Sequence, residues 1–165
     1  MKTHLVSGGC GFVGRNMVKR LFNTTEDRIV FVDDLSIGTD PSTWLDQELV
    51  RESNGAKFYG EGERLVFFEN DIREILRGYQ NDAKYFNQFG FDVEHFSDVF
   101  HFAAIVGGRA KIDGDPMMVA LDLSIDAEFF HWVCTHKPDR VMYPSSSAAY
   151  PVSKQTEQHA IALSE

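Results

Sequence analysis

Short apolar runs alternate along this chain with longer stretches in which apolar positions recur at helical spacing. Thr3 to Ser7 reads as a buried strand that ends in glycines. Behind it Phe12, Val13, Met17, Val18, Leu21 and Phe22 mark one helical face, which predicts a helix over Gly11 to Asn23. Arg28 to Asp33, Leu65 to Glu69, Asp98 to Phe102 and Arg140 to Tyr143 are four more apolar runs of strand length. Pro116 opens a long helix to about Thr135, since proline suits a first helical turn where its missing N–H has no partner anyway. Lys137-Pro138 stops that helix, and Val152 to the end of the chain reads as a final helix. Regions 35–64 and 78–97 fit the alternation least. They read as excursions over the edge of a sheet, with short helices around Trp44 to Val50 and Ala83 to Gln88. Five short strands separated by helices imply right-handed βαβ units and a doubly wound parallel α/β sheet.

The length of 165 residues suits one domain, residues 1–165. With 25 acidic against 16 basic residues the formal net charge is −9, which repels phosphate backbones and anionic membranes. Nucleic-acid partners are therefore not expected, and no run reaches the roughly 20 apolar residues that a membrane span needs. The N-terminus turns glycine-rich too early for a signal peptide. Cys10 and Cys134 form no disulfide framework and read as reduced, small buried hydrophobes in a cytoplasmic protein. The histidines show no metal-ligand spacing, so no metal is expected.

The chemistry concentrates between the first strand and the first helix. Gly8-Gly9-Cys10-Gly11-Phe12-Val13-Gly14 contains Gly-x-Gly-x-x-Gly. Glycines there allow a tight turn, the approach of a pyrophosphate to bare backbone, and close packing of helix on strand. The helix N-terminus adds unpaired N–H groups and a positive dipole end. Asp33 stands about 20 residues further on, at the end of the second strand, where an acid hydrogen-bonds the ribose hydroxyls of a dinucleotide. Asp34 follows it with no nearby arginine, and two carboxylates repel a 2′-phosphate, so NAD is expected over NADP.

These segments resemble the extended short-chain dehydrogenase/reductases, specifically the NAD-dependent nucleotide-sugar epimerase/dehydratase family. Residues 7–14 are similar to its cofactor loop and Val-Asp-Asp-Leu-Ser-Ile-Gly (32–38) to its second-strand motif. Asn-Asp-Ile-Arg (70–73) resembles the third-strand motif, in which Asp71 and Ile72 would flank the adenine. His-Phe-Ala-Ala (101–104) resembles the fourth, which puts Phe102, Ala103 and Ala104 along the cofactor near the nicotinamide ribose. Ser-Ser-Ser-Ala-Ala-Tyr-Pro (145–151) resembles the fifth, and Ser-Lys-Gln-Thr-Glu (153–157) the end of the catalytic Tyr-x-x-x-Lys helix. The resemblance implies strand order 3-2-1-4-5, an NAD cofactor, a nucleotide-sugar substrate, a homodimer through helices of this half, and Ser146, Tyr150 and Lys154 as the catalytic set. Lysine beside tyrosine lowers a phenol from about 10 toward neutrality, so that it can take a sugar hydroxyl proton.

The chain also departs from that family. Tyr150 closes the strand motif and opens Tyr-x-x-x-Lys at once, whereas the family carries two tyrosines there. The smaller C-terminal substrate domain of the family has no counterpart in these residues. Asp122 stands where the family has asparagine, either weakening hydrogen bonds near the site or lying as a solvated acid. Ser147 and Ala148 replace the Asp-Glu of dehydratases, and alanine moves no proton, which favours epimerisation or simple oxidoreduction. Arg109, after the fourth strand, faces a phosphate or solvent. The reading is an NAD-dependent nucleotide-sugar epimerase or related oxidoreductase. Its rival is a non-catalytic NAD-binding module with a regulatory or partner-binding role.

Overall fold

The computed structural model describes residues 1–105 and 114–146, together with the residue pairs 155–156 and 159–160. Strands β1 (Thr3–Ser7), β2 (Arg28–Asp33), β3 (Leu49–Ser53), β4 (Ala56–Tyr59), β5 (Leu65–Glu69), β6 (Asp98–His101) and β7 (Arg140–Met142) form one sheet in the order β3-β4-β5-β2-β1-β6-β7. Five of them, β5-β2-β1-β6-β7, run parallel, which is the expected order 3-2-1-4-5. The helices are α1 (Phe12–Thr24), α2 (Ile72–Asn81) and α3 (Pro116–His136).

The apolar runs are continuous because both faces of the central strands are covered. Alternate residues of β2 and β5 serve different layers. Ile29, Phe31, Leu65 and Phe67 pack with Val18 of α1. Val30, Val32, Val66 and Phe68 pack with Ile72, Ile75 and Leu76 of α2 and Phe129 and Trp132 of α3.

Region 35–64 differs from its expected form. Pro41–Thr43 is a single 3-10 turn, and Leu49–Ser53 and Ala56–Tyr59 are a hairpin that adds two antiparallel strands to the edge of β5. The turn is Asn54-Gly55, both with positive φ (50° and 91°), the backbone that matches the twist of two hairpin strands. Alternating Ala56, Phe58 and half-exposed Lys57 fit a strand with one covered face. The second excursion holds a 3-10 helix at Tyr85–Phe89, close to the short helix expected there.

Helix α2 is an addition to the sequence reading. Asp71 caps it by accepting from the Arg73 N–H (2.8 Å), and Ile72, Ile75, Leu76 and Tyr79 form its buried face. The final helix expected from Val152 is corrected. Gln155–Thr156 and His159–Ala160 are paired antiparallel as β8 and β9. Their apolar residues cluster at 160–163 instead of recurring at three and four, and so short a helix is marginal without an apolar face to pack. Of the cysteines, Cys10 is buried as expected, whereas Cys134 is exposed on α3.

Candidate functional site

The turn from β1 into α1 is built from glycines that are not interchangeable. Gly8 has φ of +63°, and a Cβ there would lie 2.6 Å from the Phe102 carbonyl carbon. A Cβ on Gly9 would meet Phe31 at 2.8 Å, and one on Gly14 would overlap the Gly8 carbonyl oxygen and the Gly9 Cα. These three are required by packing alone. Gly11 is different: its φ is −69°, open to any residue, and a Cβ there would find only the Gly8 oxygen at an ordinary 3.4 Å. No side chain caps the first turn of α1. The first amide groups of a helix lack intrahelical acceptors, so the loop offers bare donors on its open side. Phe12 and Val13 stand exposed beside them.

Asp33 fastens this loop. Its Oδ2 accepts from the Cys10 N–H and its Oδ1 from the Leu35 N–H, each at 2.9 Å. Asp33 as a residue is only 9% exposed. Burial pushes its pKa above the ordinary value, although both amides favour the charged form. Burial and the neighbouring Asp33 charge push the Cys10 thiol far up, so Cys10 is an inert packing group. Asp34 is exposed and accepts from the Ser36 amide (2.9 Å) and hydroxyl (2.6 Å).

Asp71 and Ile72 lie at the start of α2. Burial raises the Asp71 pKa, but hydrogen bonds from the Arg73 side chain and amide outweigh it and leave the carboxyl lowered. Arg73 reaches on to the Ser124 hydroxyl of α3 at 2.8 Å. Ile72 is buried in the core.

At the end of β6, the Phe102 N–H donates to the Ser7 carbonyl (3.0 Å) and the Ala103 N–H to the Ser7 hydroxyl (3.3 Å). Phe102 and Ala103 are half-buried and Ala104 is exposed. The Ile105 N–H donates to Asp122 Oδ1 (2.7 Å). Asp122 is therefore not merely a solvated acid: half-exposed, it ties the exit of β6 to α3 through a single carbonyl-type oxygen, which asparagine also has. Ser146 is exposed, four residues beyond β7. Tyr150, Lys154, Arg109, Ser147 and Ala148 lie outside the described residues. The sequence reading missed a polar set beside this edge, namely Ser7, His101, Asp126 and Tyr143. A histidine inside the apolar run Val99-Phe100-His101-Phe102 was the available signal, while the pairing of Asp126 with Tyr143 had none.

The β1 turn, the end of β2, the start of α2 and the exit of β6 thus meet at the carboxyl ends of the parallel strands. In open α/β sheets ligands bind in the crevice at that edge, where the strand order reverses. The sequence pattern of the NAD dependent epimerase/dehydratase family matches residues 4–164.

The chain belongs to the NAD-dependent epimerase/dehydratase family.

NAD is that family's cofactor, and the open side of Gly11, the uncapped start of α1 and the buried Asp33 fit a dinucleotide. No curated protein matches the chain in sequence. Among solved structures, it is similar to an epimerase from Methanothermobacter thermautotrophicus (TM-score 0.64, 21% identity, 99% of this chain and 41% of that one). It is equally similar to the UDP-N-acetylglucosamine 4-epimerase of Methanobrevibacter ruminantium (TM-score 0.64, 20% identity, 99% and 43%). A dTDP-glucose 4,6-dehydratase from Streptomyces venezuelae, solved with NAD and TYD bound, aligns at TM-score 0.57 and 19% identity over 84% of this chain and 38% of that one. At such identities the likeness shows the epimerase/dehydratase fold, and the chain spans about two fifths of the length of these proteins. Among the described residues no His, Cys, Asp and Glu group could hold a metal ion, and no helix is long and apolar enough to cross a membrane.

Proposed function

We propose that residues 1–165 form the NAD-binding part of a nucleotide-sugar epimerase. The observation that carries this reading is the contrast inside the glycine loop. Gly8, Gly9 and Gly14 are needed for the fold, whereas Gly11 is needed by nothing within the described residues and borders open space at the start of α1. In this reading Gly8, Gly9, Gly11, Phe12, Val13 and Gly14 cradle the pyrophosphate through backbone amides. Asp33 and Asp34 take the adenine ribose, Asp71 and Ile72 border the adenine, and Phe102, Ala103 and Ala104 line the nicotinamide ribose. Bound NAD supplies a hydride acceptor and donor. The chain itself handles the proton: Tyr150 accepts it from a sugar hydroxyl, Lys154 favours the phenolate by its charge, and Ser146 hydrogen-bonds the same hydroxyl. Ala148 lacks a transferable proton, which favours epimerisation over dehydration. A homodimer belongs to the same reading, with Leu123 and Phe130 as exposed apolar side chains on α3.

Gly11→Val tests it. The variant is expected to fold and unfold like the unaltered chain but to lose NAD binding, because a branched side chain fills the phosphate space. Gly14→Val is the contrasting control and is expected to lose stability, since its side chain overlaps backbone. A folded Gly11→Val chain that titrates with NAD as before refutes the cradle. A sugar-nucleotide-dependent change in NADH absorbance separates this reading from a non-catalytic NAD-binding module, and the 165-residue chain alone is expected to turn over nucleotide sugars poorly or not at all.

A further inference from the structure

Strand β7 is short and thinly held. Its three residues are all exposed, and among the described residues it pairs with β6 alone. Ser145 and Ser146 follow it at the crevice edge and are exposed. The Tyr143 side chain ties this exit to α3. The Tyr143 phenol donates to Asp126 Oδ2 of α3 at 2.7 Å, and the Tyr143 ring lies beside Phe130 (centroids 5.1 Å apart) and nearly parallel to His101 (6.0 Å, 15°).

Asp126 also faces the neighbouring strand. His101, at the end of β6, is 2% exposed and stacks on Phe129 of α3 at 3.8 Å. Its Nδ1 lies 2.7 Å from the Ser7 hydroxyl. Its Nε2 makes no close hydrogen bond, and the nearest acceptor is Asp126 Oδ1 at 3.4 Å. Burial lowers the His101 pKa more than Asp126 and Asp122 raise it, so the imidazole is neutral and carries one N–H. That proton sits on Nε2, because a bare nitrogen facing a carboxylate is repelled. Nδ1 is then an acceptor for the Ser7 hydroxyl proton, and Ser7 Oγ in turn accepts from the Ala103 N–H. Hydrogen bonds thus join the root of the glycine loop to β6 through Ser7 and His101, and α3 to the exit of β7 through Asp126 and Tyr143, with Asp126 Oδ1 3.4 Å from His101 Nε2 between the two sets.

We propose that Asp126 is a positioning residue, which pins the Tyr143 phenol to α3 beside the His101 imidazole stacked on the same helix, and so fixes the spacing of the β6 and β7 exits across the nucleotide crevice. This rests on the NAD-binding reading for its functional side. The titratable groups that face the Tyr143 phenol are Asp122 and Asp126 on α3 and the neutral His101 on β6. The hydrogen bond to Asp126 is also the leading cause that pushes the Tyr143 phenol up to about 12, which gives a signature independent of NAD.

The test uses the whole 165-residue chain labelled with 13Cζ-tyrosine, with the Tyr143 resonance assigned by Tyr143→Phe. The Tyr143 phenol is expected to titrate near 12 in the unaltered chain, and Asp126→Asn to bring it toward the ordinary value of about 10. NAD(H) titration reads the positioning. Asp126→Ala and Tyr143→Phe, which break the tether, are expected to raise the NAD(H) Kd about five- to tenfold, whereas Asp126→Asn keeps an acceptor for the phenol and stays within about twofold. A Tyr143 phenol at its ordinary value in the unaltered chain overturns the tether. Unchanged NAD(H) affinity in both tether-breaking variants overturns its role at the crevice. If the unaltered chain binds no NAD(H), the functional reading falls with that role, and the phenol titration still decides the tether.

Discussion

The two flanks of β1 are built to different standards. On one side β2 and β5 are sealed on both faces, and a hairpin extends the sheet beyond them. Phe31 and Phe67 stack there at 5.0 Å, under the Gly9 turn of the loop. On the other side β7 has no buried residue, and Val141 and Met142 face outward. The first flank carries the glycine loop and Asp33, and the second carries Ser146. Binding a dinucleotide needs a rigid turn at fixed distance from a fixed acid, which the sealed flank provides from its own residues. The thin flank depends on side-chain ties to α3 and β6.

The largest expected effect lies in the sealed flank. Phe31→Ala should cost about 3–5 kcal/mol in denaturant unfolding, the usual penalty for removing a buried aromatic ring. If it costs no more than an outward β7 residue does, the contrast between the flanks is lost. Next comes Asp33→Ala, expected to weaken NAD binding by about 1–3 kcal/mol through lost charge-assisted hydrogen bonds. NADP(H) should bind the unaltered chain more weakly than NAD(H) does, and equal or tighter NADP(H) binding would contradict the assignment of both acids at the end of β2.

A pH effect follows from the junction between the flanks. Burial holds the His101 pKa below its ordinary value of 6.5 in the fold. As pH falls, the unfolded chain takes up that proton first, so acid favours unfolding. The contribution of His101 to stability is therefore complete above about pH 6.5 and is lost as pH falls below it. Unfolding measured at pH 7.5 and 5.5 should show this loss, and His101→Gln should flatten the slope. An equally steep slope in that variant would place the effect elsewhere. The smallest effect is Val141→Ala on β7, expected to stay within about 0.5 kcal/mol as for an ordinary surface change.

On the sealed flank the two central strands and the glycine loop were legible in the sequence, and the elements added outside them were not. β2 and β5 match their expected bounds because strands buried on both faces announce themselves as unbroken apolar runs. The glycine loop was readable because its residue types are forced by backbone geometry. The hairpin was missed although Asn54-Gly55 marks its turn, because charged Arg51, Glu52 and Lys57 interrupt its apolar residues at the open edge. Helix α2 was missed although Asp71 is a good cap and Ile72, Ile75, Leu76 and Tyr79 carry helical spacing. The Asp126–Tyr143 and Asp122–Ile105 ties had no local signal, since each joins segments that only the folded sheet brings together.

The ion pair at the far end of β7 has a mechanical consequence. Arg140 forks onto both oxygens of Asp98, so charge clamps β7 to β6 at their amino ends, and the Asp98 carboxylate lies 3.1 Å from His4 Nδ1 on β1. A three-residue strand spans about 10 Å. Clamped at that end by Arg140 and tied to α3 through Tyr143, β7 is anchored at both ends of that length, so the start of the stretch that borders the crevice is set by two fixed points.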